Sequence, residues 1–391
     1  VATTTETGAD SSTRSEPYLK TKGAVLWGIG DGKYEIEDIE YGAPKENEVV
    51  VKLAASGLCH TDLHFCNGDV DFEKMPMLGG HEGAGVVQEL GPNVHSLEPG
   101  DHVITTFMPS CGKCRWCVTG LSNLCDRGAG LLGGTLLDGT TRCHTGDGTP
   151  LSQMTYIGTF SPYIVCPEDS LIKVDPEVPL DKVALIGCGV PTGWGSAVYV
   201  ADVEPGETVV VLGCGGVGMN AVQGAKLAGA MTIIAVDPVE WKREAAVATF
   251  GATHQAASIE EAHELVTELT KGVMADKVII HLGVVPGDII HPALEMTSKG
   301  GVVVVSGAAR MDQIDTKMSL FGLAMYQRQV RGGNYGGCNP RADIPKLVEL
   351  YKSGDLLLDE LVTRTYSLDE INQGYEDMES GKNLRGILVF D

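Results

Sequence analysis

Residues 208–218, TVVVLGCGGVG, constrain this chain more than any other stretch. A near-continuous apolar run, Thr208 to Leu212, ends in Gly213, Gly215 and Gly218 at the spacing G-x-G-x-x-G, and an amphipathic segment, Val217 to Ala228, follows. That context is the one a dinucleotide fingerprint requires: a strand buried on both faces, a tight turn, and a helix N-terminus whose free N–H groups, Gly216 and Val217 among them, receive a pyrophosphate. Asp237 closes the next apolar run, Thr232 to Val236, 19 residues beyond Gly218. There its carboxylate can accept hydrogen bonds from the adenosine ribose and repel a 2′-phosphate, which favours NAD(H) over NADP. The same residue also suits the N-cap of the helical segment EWKREAAVATF.

The runs Lys277 to His281 and Gly301 to Ser306 continue the alternation of apolar strands with helical stretches. Strands without polar alternation are those covered by helices on both faces, so the fold class is α/β with a Rossmann-type, doubly wound parallel sheet. With 391 residues the chain exceeds what one core usually serves. Residues 23–170 read differently, with Gly, Pro and short Val-containing runs that predict a twisted or barrel-like β domain. The expected organisation is a flexible tail over 1–22, a mainly β catalytic domain over 23–189, a dinucleotide domain over 190–334, and a segment 335–391 that returns to complete the first domain.

A formal charge of −23 excludes a general affinity for phosphate backbones or anionic lipid, and no basic patch offsets it. No nucleic-acid or membrane partner is therefore expected. Residues 1–22 lack the apolar core of a signal peptide, and no run approaches the roughly 18 apolar residues of a membrane span, so a cytoplasmic location is expected. The eleven cysteines are an odd number in a long chain, and four crowd into residues 111–125, which fits metal binding better than disulfides.

Those four, Cys111, Cys114, Cys117 and Cys125, form C-x2-C-x2-C-x7-C, a thiolate set that one lobe can wrap around a tetrahedral zinc ion with no coordination position left open. An iron–sulfur cluster and four unrelated buried cysteines are the alternatives. Three separate Gly-rich segments hold single ligand candidates: Cys59 in SGLCHTD, His81 in GGHEGAG and Cys188 in GCGVPTGWG. Each alone reads as a buried packing residue. Together they supply Cys, His and Cys, the set of a catalytic zinc that keeps one position for water or substrate. The pair His81 and Glu82 does not begin a zinc-protease helix, because position 85 is Gly.

GLCHTD, GGHEGAGVV, the four-cysteine lobe, GCGVPTGWGSA, LGCGGVG and NLRGILVF follow one another as in the zinc-containing medium-chain alcohol dehydrogenases, which the chain resembles from residue 23 onward. CDRGAGLLGG and VDPVEWKRE resemble the actinobacterial branch called nitroso-dimethylaniline-dependent, which are nicotinoproteins. The resemblance implies a GroES-like first domain, two zinc ions, NAD(H), and hydride transfer between an alcohol or aldehyde and the cofactor, which the branch retains and regenerates with a second substrate. It implies that Thr61 takes the alcohol proton and that His64 ends the proton relay. Asp62 would orient His81, and Glu82 would stand behind the catalytic zinc. Phe107 and Met154 to Tyr156 would line the substrate pocket, while His60, Lys242 and Arg385 would contact the cofactor's phosphates or ribose. His60 departs from the Arg common in the family, which implies a weaker or pH-dependent phosphate contact. The length from Cys125 to Tyr163 resembles the dimeric branch, so a homodimer is expected.

A thiol-adduct formaldehyde dehydrogenase would share these features; its carboxylate-bearing substrate would call for basic residues such as Arg127 and Arg142. A non-catalytic sensor of zinc and NAD would have no use for a Thr and His proton exit. The identity of the alcohol rests on a few pocket side chains and is not legible in the motifs.

Overall fold

The computed structural model describes residues 18–391. Of the expected tail, residues 1–17 lie outside the described residues. Residues 19–22 are no tail: they begin the strand Leu19–Leu26, which pairs antiparallel with Glu35–Tyr41 from Leu19 opposite Tyr41 onward.

Two β units precede the parallel sheet. Leu19–Leu26, Glu35–Tyr41, Cys143–Thr145, Pro150–Gln153 and Met77–Leu78 close into a barrel. Beside it a 7-stranded sheet runs in the order Leu171–Val174, His102–Thr105, Gly83–Leu90, Glu48–Gly57, Arg385–Val389, Val362–Tyr366, with Tyr163–Pro167 also paired to Glu48–Gly57. Its last two members come from the end of the chain: Ile387 pairs with Gly57 and Leu388 with Ser56. The C-terminal strand therefore lies beside the strand that leads to Cys59.

The third sheet is parallel throughout, in the order His254–Ala256, Thr232–Val236, Thr208–Leu212, Ala275–Ile280, Thr297–Val305, Gln329–Gly332. In chain order this is the doubly wound arrangement whose first strand lies next to the fourth, and a ligand crevice forms at that reversal. The strand Thr297–Val305 begins earlier than the apolar run Gly301 to Ser306 suggests, since Thr297 already pairs with Ala275 ahead of a register shift. The α/β class and the two architectures read from the sequence are thus both present.

The helix Gly189–Gly195, which begins at Cys188, crosses the helix Gly216–Leu227, which begins at the glycine loop. The crossing is close enough that side chains are excluded from it. A Cβ on Gly193 would stand 2.0 Å from the Val217 carbonyl oxygen, and one on Gly224 would stand 2.7 Å from that of Trp194. A single buried cluster runs through this contact, from Ala55, Ala84 and Ile104 of the β sheet to Val211 and Ile279 of the parallel sheet. Among the described residues no single helix is long and apolar enough to cross a membrane. The one bent pair that passes by composition, 180–187 with 189–200, contributes Leu185, Val190 and Trp194 to that same cluster.

Because the crossing leaves no room for even one methyl group, Gly193→Ala is expected to destabilise the protein by about 1–3 kcal/mol. The check is a lower urea midpoint at unchanged slope. A midpoint equal to that of the parent would show that the two helices are free to separate.

Candidate active site and metal centres

Cys59 is the residue ahead of the helix His60–Asn67, immediately after the strand Glu48–Gly57. Leu58 ties this corner to the C-terminal strand through its N–H, which donates to Gly386 O at 3.0 Å. His81 leaves a turn in which Gly80 has φ +90 and lies against Phe160 and Thr159, so only glycine serves there. Cys188 precedes the helix Gly189–Gly195 with φ −150 and ψ −70. These three segments, far apart in sequence, bring donor atoms of Cys59, His81, Glu82 and Cys188 within 4.8 Å of one another. All four residues are buried.

His81 Nδ1 meets Asp62 Oδ1 at 3.2 Å, and the Gly80 N–H donates to the same oxygen at 3.1 Å. This fixes the imidazole so that Nε2, buried and without a protein partner, is turned toward the two sulfurs. Burial alone would lower the His81 pKa, yet Asp62 and Cys59 carry it well above its ordinary value. The hydrogen bond from Cys188 pulls the Cys59 thiol well below its ordinary value, and burial opposes this while His81 adds to it. For Cys188 the same hydrogen bond, followed by burial, raises the thiol. One thiolate thus forms readily, and the second requires a cation. Two soft sulfurs and one imidazole nitrogen suit zinc.

Glu82 stands in this cluster, but its carboxylate accepts from the Gly189 N–H at 3.1 Å and forms a close pair with Arg385 Nη2. Burial, opposed by Arg385, pushes its pKa up to about 7. Three glycines make room for the pair. A Cβ on Gly57 would lie 2.0 Å from Glu82 Oε2, one on Gly189 2.2 Å from Arg385 Nη1, and one on Gly216 2.0 Å from Arg385 Cδ. Arg385, expected at the cofactor, is accordingly enclosed at 4 % exposure behind Gly216, with Nε unpartnered and Nη2 also donating to Leu58 O at 3.1 Å.

The cysteine lobe is a separate centre. Sγ of Cys111 and Cys117 are 4.0 Å apart, and those of Cys114 and Cys125 are 3.9 Å apart. Four thiolates on one zinc at about 2.3 Å each sit close to this spacing, whereas sulfurs around a cluster of several irons stand farther apart. Backbone N–H groups of Cys117 and Asp126 pull Cys114 down to about 6, whereas burial pushes Cys125 up to about 12, so thiolate forms first at Cys114 and Cys125 needs a cation to follow.

A cavity of about 1010 Å³ joins the first centre to the glycine loop, and Cys59, His81, Cys188, Gly213, Gly215 and Asp237 all line it. Gly213 (φ +95) packs on the His281 carbonyl, and a Cβ on Gly218 would come 1.7 Å from Gly213 O, which explains both fingerprint positions. Asp237 accepts from the Cys214 N–H at 2.8 Å and the Val239 N–H at 2.9 Å, so it braces the loop and the turn after it while lining the cavity. It is not the N-cap expected from the sequence, because the helix Glu240–Ala245 starts later, with Val239 at that position. Lys242 and His60 also line the cavity. Desolvation in the cleft pushes His60 down to about 4.

Thr61 Oγ1 is 3.6 Å from Cys59 Sγ, and Thr61 faces the cavity. His64, read from sequence as the outer end of a relay, is only 3 % exposed. Its Nδ1 meets Asp69 Oδ2 at 3.1 Å, and Nε2 is buried without a protein partner. Asp69, which no motif singled out, therefore stands between His64 and the surface; a carboxylate five residues on, across a helix end, has no sequence signature. Phe107, Met154, Thr155 and Tyr335 lie along the cavity wall with Phe65, Met108 and Leu131. Tyr156 is turned away, its hydroxyl donating to Arg127 O at 2.9 Å. Arg142 is buried in a two-point ion pair with Glu48 at 2.6 and 2.7 Å, and Arg127 is paired with Asp169.

The alcohol dehydrogenase GroES-like domain family matches residues 45–176, and the zinc-binding dehydrogenase family matches residues 216–353. The NDMA-dependent alcohol dehydrogenase of Amycolatopsis methanolica is 47% identical over 95% of this chain and 99% of its own length. Among solved structures, an alcohol dehydrogenase zinc-binding domain protein from Burkholderia ambifaria superimposes with TM-score 0.89 at 34% identity, covering 95% of this chain and 99% of that one. The benzyl alcohol dehydrogenase of Acinetobacter calcoaceticus gives TM-score 0.88 at 30% identity, covering 95% of this chain and 100% of that one.

Elemental analysis of the purified protein is expected to find two zinc ions per chain. Cys114→Ala should lose one of them and lower the thermal midpoint, while Cys188→Ala should lose the other and leave the midpoint nearly unchanged. A single zinc in the parent protein would remove one of the two centres.

Proposed function

The chain belongs to the zinc-containing medium-chain alcohol dehydrogenases, and on that premise we propose how its own residues oxidise an alcohol. The observation that carries the proposal is one cavity lined at once by Cys59, His81 and Cys188 and by Gly213, Gly215 and Asp237. We assign Cys59, His81 and Cys188 as the holders of the catalytic zinc, with Glu82 within reach behind them, and the Cys111, Cys114, Cys117 and Cys125 lobe as the holder of the structural one. When bound, the catalytic zinc supplies Lewis acidity that lowers the alcohol pKa, and the nicotinamide supplies the hydride acceptor.

The remaining work falls to the chain. Thr61 Oγ1 takes the hydroxyl proton beside the Cys59 sulfur. At the far end of the path His64 Nε2 receives a proton, because Asp69 occupies Nδ1 and leaves Nε2 as the free nitrogen facing the cavity. Asp62 holds the His81 ring in one orientation, and Arg385 holds Glu82. The glycine loop with Gly216, Val217 and Gly218 seats the pyrophosphate, Asp237 faces the adenosine ribose and selects NAD(H), and Lys242 and His60 flank the phosphates. Arg385 acts from behind Gly216 and touches the cofactor site only through the loop.

Phe65, Met108, Leu131 and Met154 make the substrate side of the cavity apolar, which suits an uncharged alcohol with an apolar tail. A carboxylate-bearing thiol adduct finds no free cation in Arg127 or Arg142, both of which are held in ion pairs. None of the eleven cysteines is in a disulfide, and we propose a cytoplasmic location. We further propose that the cofactor is retained between turnovers, as the resemblance of CDRGAGLLGG and VDPVEWKRE to the nicotinoprotein branch implies. Arg310 and Met311 of the dinucleotide unit reach across the cleft to Asp69, the N–H of Met311 donating to Asp69 O at 3.3 Å. A homodimer is proposed through the open edge strand Gln329–Gly332, which follows in sequence the helix Leu320–Met325 with its exposed Leu320, Phe321 and Met325.

Protein purified without added cofactor and then denatured is expected to release near one equivalent of NAD(H) per chain, and its alcohol oxidation should depend on an added aldehyde or artificial acceptor. Empty protein whose turnover follows added NAD would place it among exchanging dehydrogenases instead. Light scattering is expected to give twice the mass of one chain; the mass of a single chain would contradict the edge-strand contact.

A further inference from the structure

One buried polar side chain in the cavity has no part in the scheme above. His281 directly follows the strand Ala275–Ile280, and its N–H extends the ladder by donating to Leu212 O at 2.8 Å. It is 8 % exposed, lines the cavity, and has no protein partner at either Nδ1 or Nε2. Buried imidazoles without partners are costly, and an aliphatic side chain would fill the position without that cost.

The direction of the ring follows from strand alternation. Ile279 packs into the cluster that contains Val190 and Met219, whereas Ile280 packs into the opposite one with Ile289 and Leu294. His281 shares the face of Ile279 and so points toward the helix that begins at Cys188. The strand lies between Thr208–Leu212, which carries the glycine loop, and Thr297–Val305. This is the reversal point of the strand order, where a dinucleotide crosses the sheet. Asp237 marks the adenosine side and the helix N-terminus at Gly216 the pyrophosphate. The next portion of the ligand toward the metal donors is the second ribose.

We propose that His281 holds the nicotinamide-side ribose of the dinucleotide, a contact that rests on the NAD(H) assignment above. Burial pushes the pKa of His281 down to about 3, so at neutral pH the ring is uncharged, with one donor and one acceptor nitrogen. Each hydroxyl of a ribose can donate or accept, so a ribose can pair with either ring nitrogen, the protonated or the bare one. A phosphate oxygen only accepts and can pair with the N–H alone. His281 is therefore a positioning residue that orients the nicotinamide ring through its sugar.

The test compares two ligands that differ in that sugar. ADP ends at the pyrophosphate, whereas ADP-ribose carries the second ribose without the nicotinamide. Their affinities are measured on the full-length protein, freed of any NAD(H) that co-purifies and shown to rebind NADH, by competition against NADH read by nicotinamide fluorescence, for the parent, His281→Val and His281→Asn. The expected result is about a tenfold loss of ADP-ribose affinity in His281→Val, the scale of one hydrogen bond, with ADP affinity unchanged and partial recovery in His281→Asn. Equal losses for ADP and ADP-ribose would mean a general distortion of the strand end and overturn the proposal. No loss for ADP-ribose would overturn it while leaving the NAD(H) assignment intact. A parent protein that is purified without NAD(H) and binds neither NADH nor ADP would overturn both.

Discussion

The close crossing of the helices that begin at Cys188 and at the glycine loop is the contact on which the site depends. A proposed metal ligand, Cys188, sits at the start of one helix and the proposed pyrophosphate seat at the start of the other. Gly193 and Gly224 let their backbones touch, so the distance between the two seats is set by hard contact rather than by flexible side chains. Hydride transfer requires the reacting carbons within a few tenths of an ångström of one approach, and rigid backbone contact is the means this chain has for meeting that demand.

Around that contact the protein has placed buried charge in closed pairs. Asp62 with His81 and Glu82 with Arg385 each combine opposite charges where a lone one would be prohibitively costly. The second pair spans the whole chain, since Arg385 belongs to the last strand and Glu82 to the turn that carries His81. Formation of the metal centre is thereby coupled to completion of the β sheet by the C-terminal segment. Gly57, Gly189 and Gly216 are the space that this pair occupies.

The proton path shows the same economy of placement. In the proposed path His64 is 3 % exposed and paired with Asp69, which is the more exposed of the two. Because Arg310 and Met311 of the dinucleotide unit also approach Asp69, the contact between the two units and the proposed relay meet at one residue.

Sequence by itself determined the local elements and the chemistry they carry. The parallel strands, the glycine loop and the four-cysteine lobe are contiguous, so periodicity and spacing suffice to read them. Cys59, His81 and Cys188 could be nominated because their residue types complete a ligand set. Tertiary structure alone decided which face each of them turns to the cavity. It also decided that Arg385 serves Glu82 from behind Gly216 and does not line the cavity, that Asp69 lies behind His64, and that residues 19–22 are strand. These facts depend on long-range pairing, such as Ile387 beside Gly57, and on the direction of side chains at strand and helix ends. Neither quantity is written in local spacing, because a residue's neighbours in sequence fix its backbone preference while its neighbours in space fix what its side chain can reach.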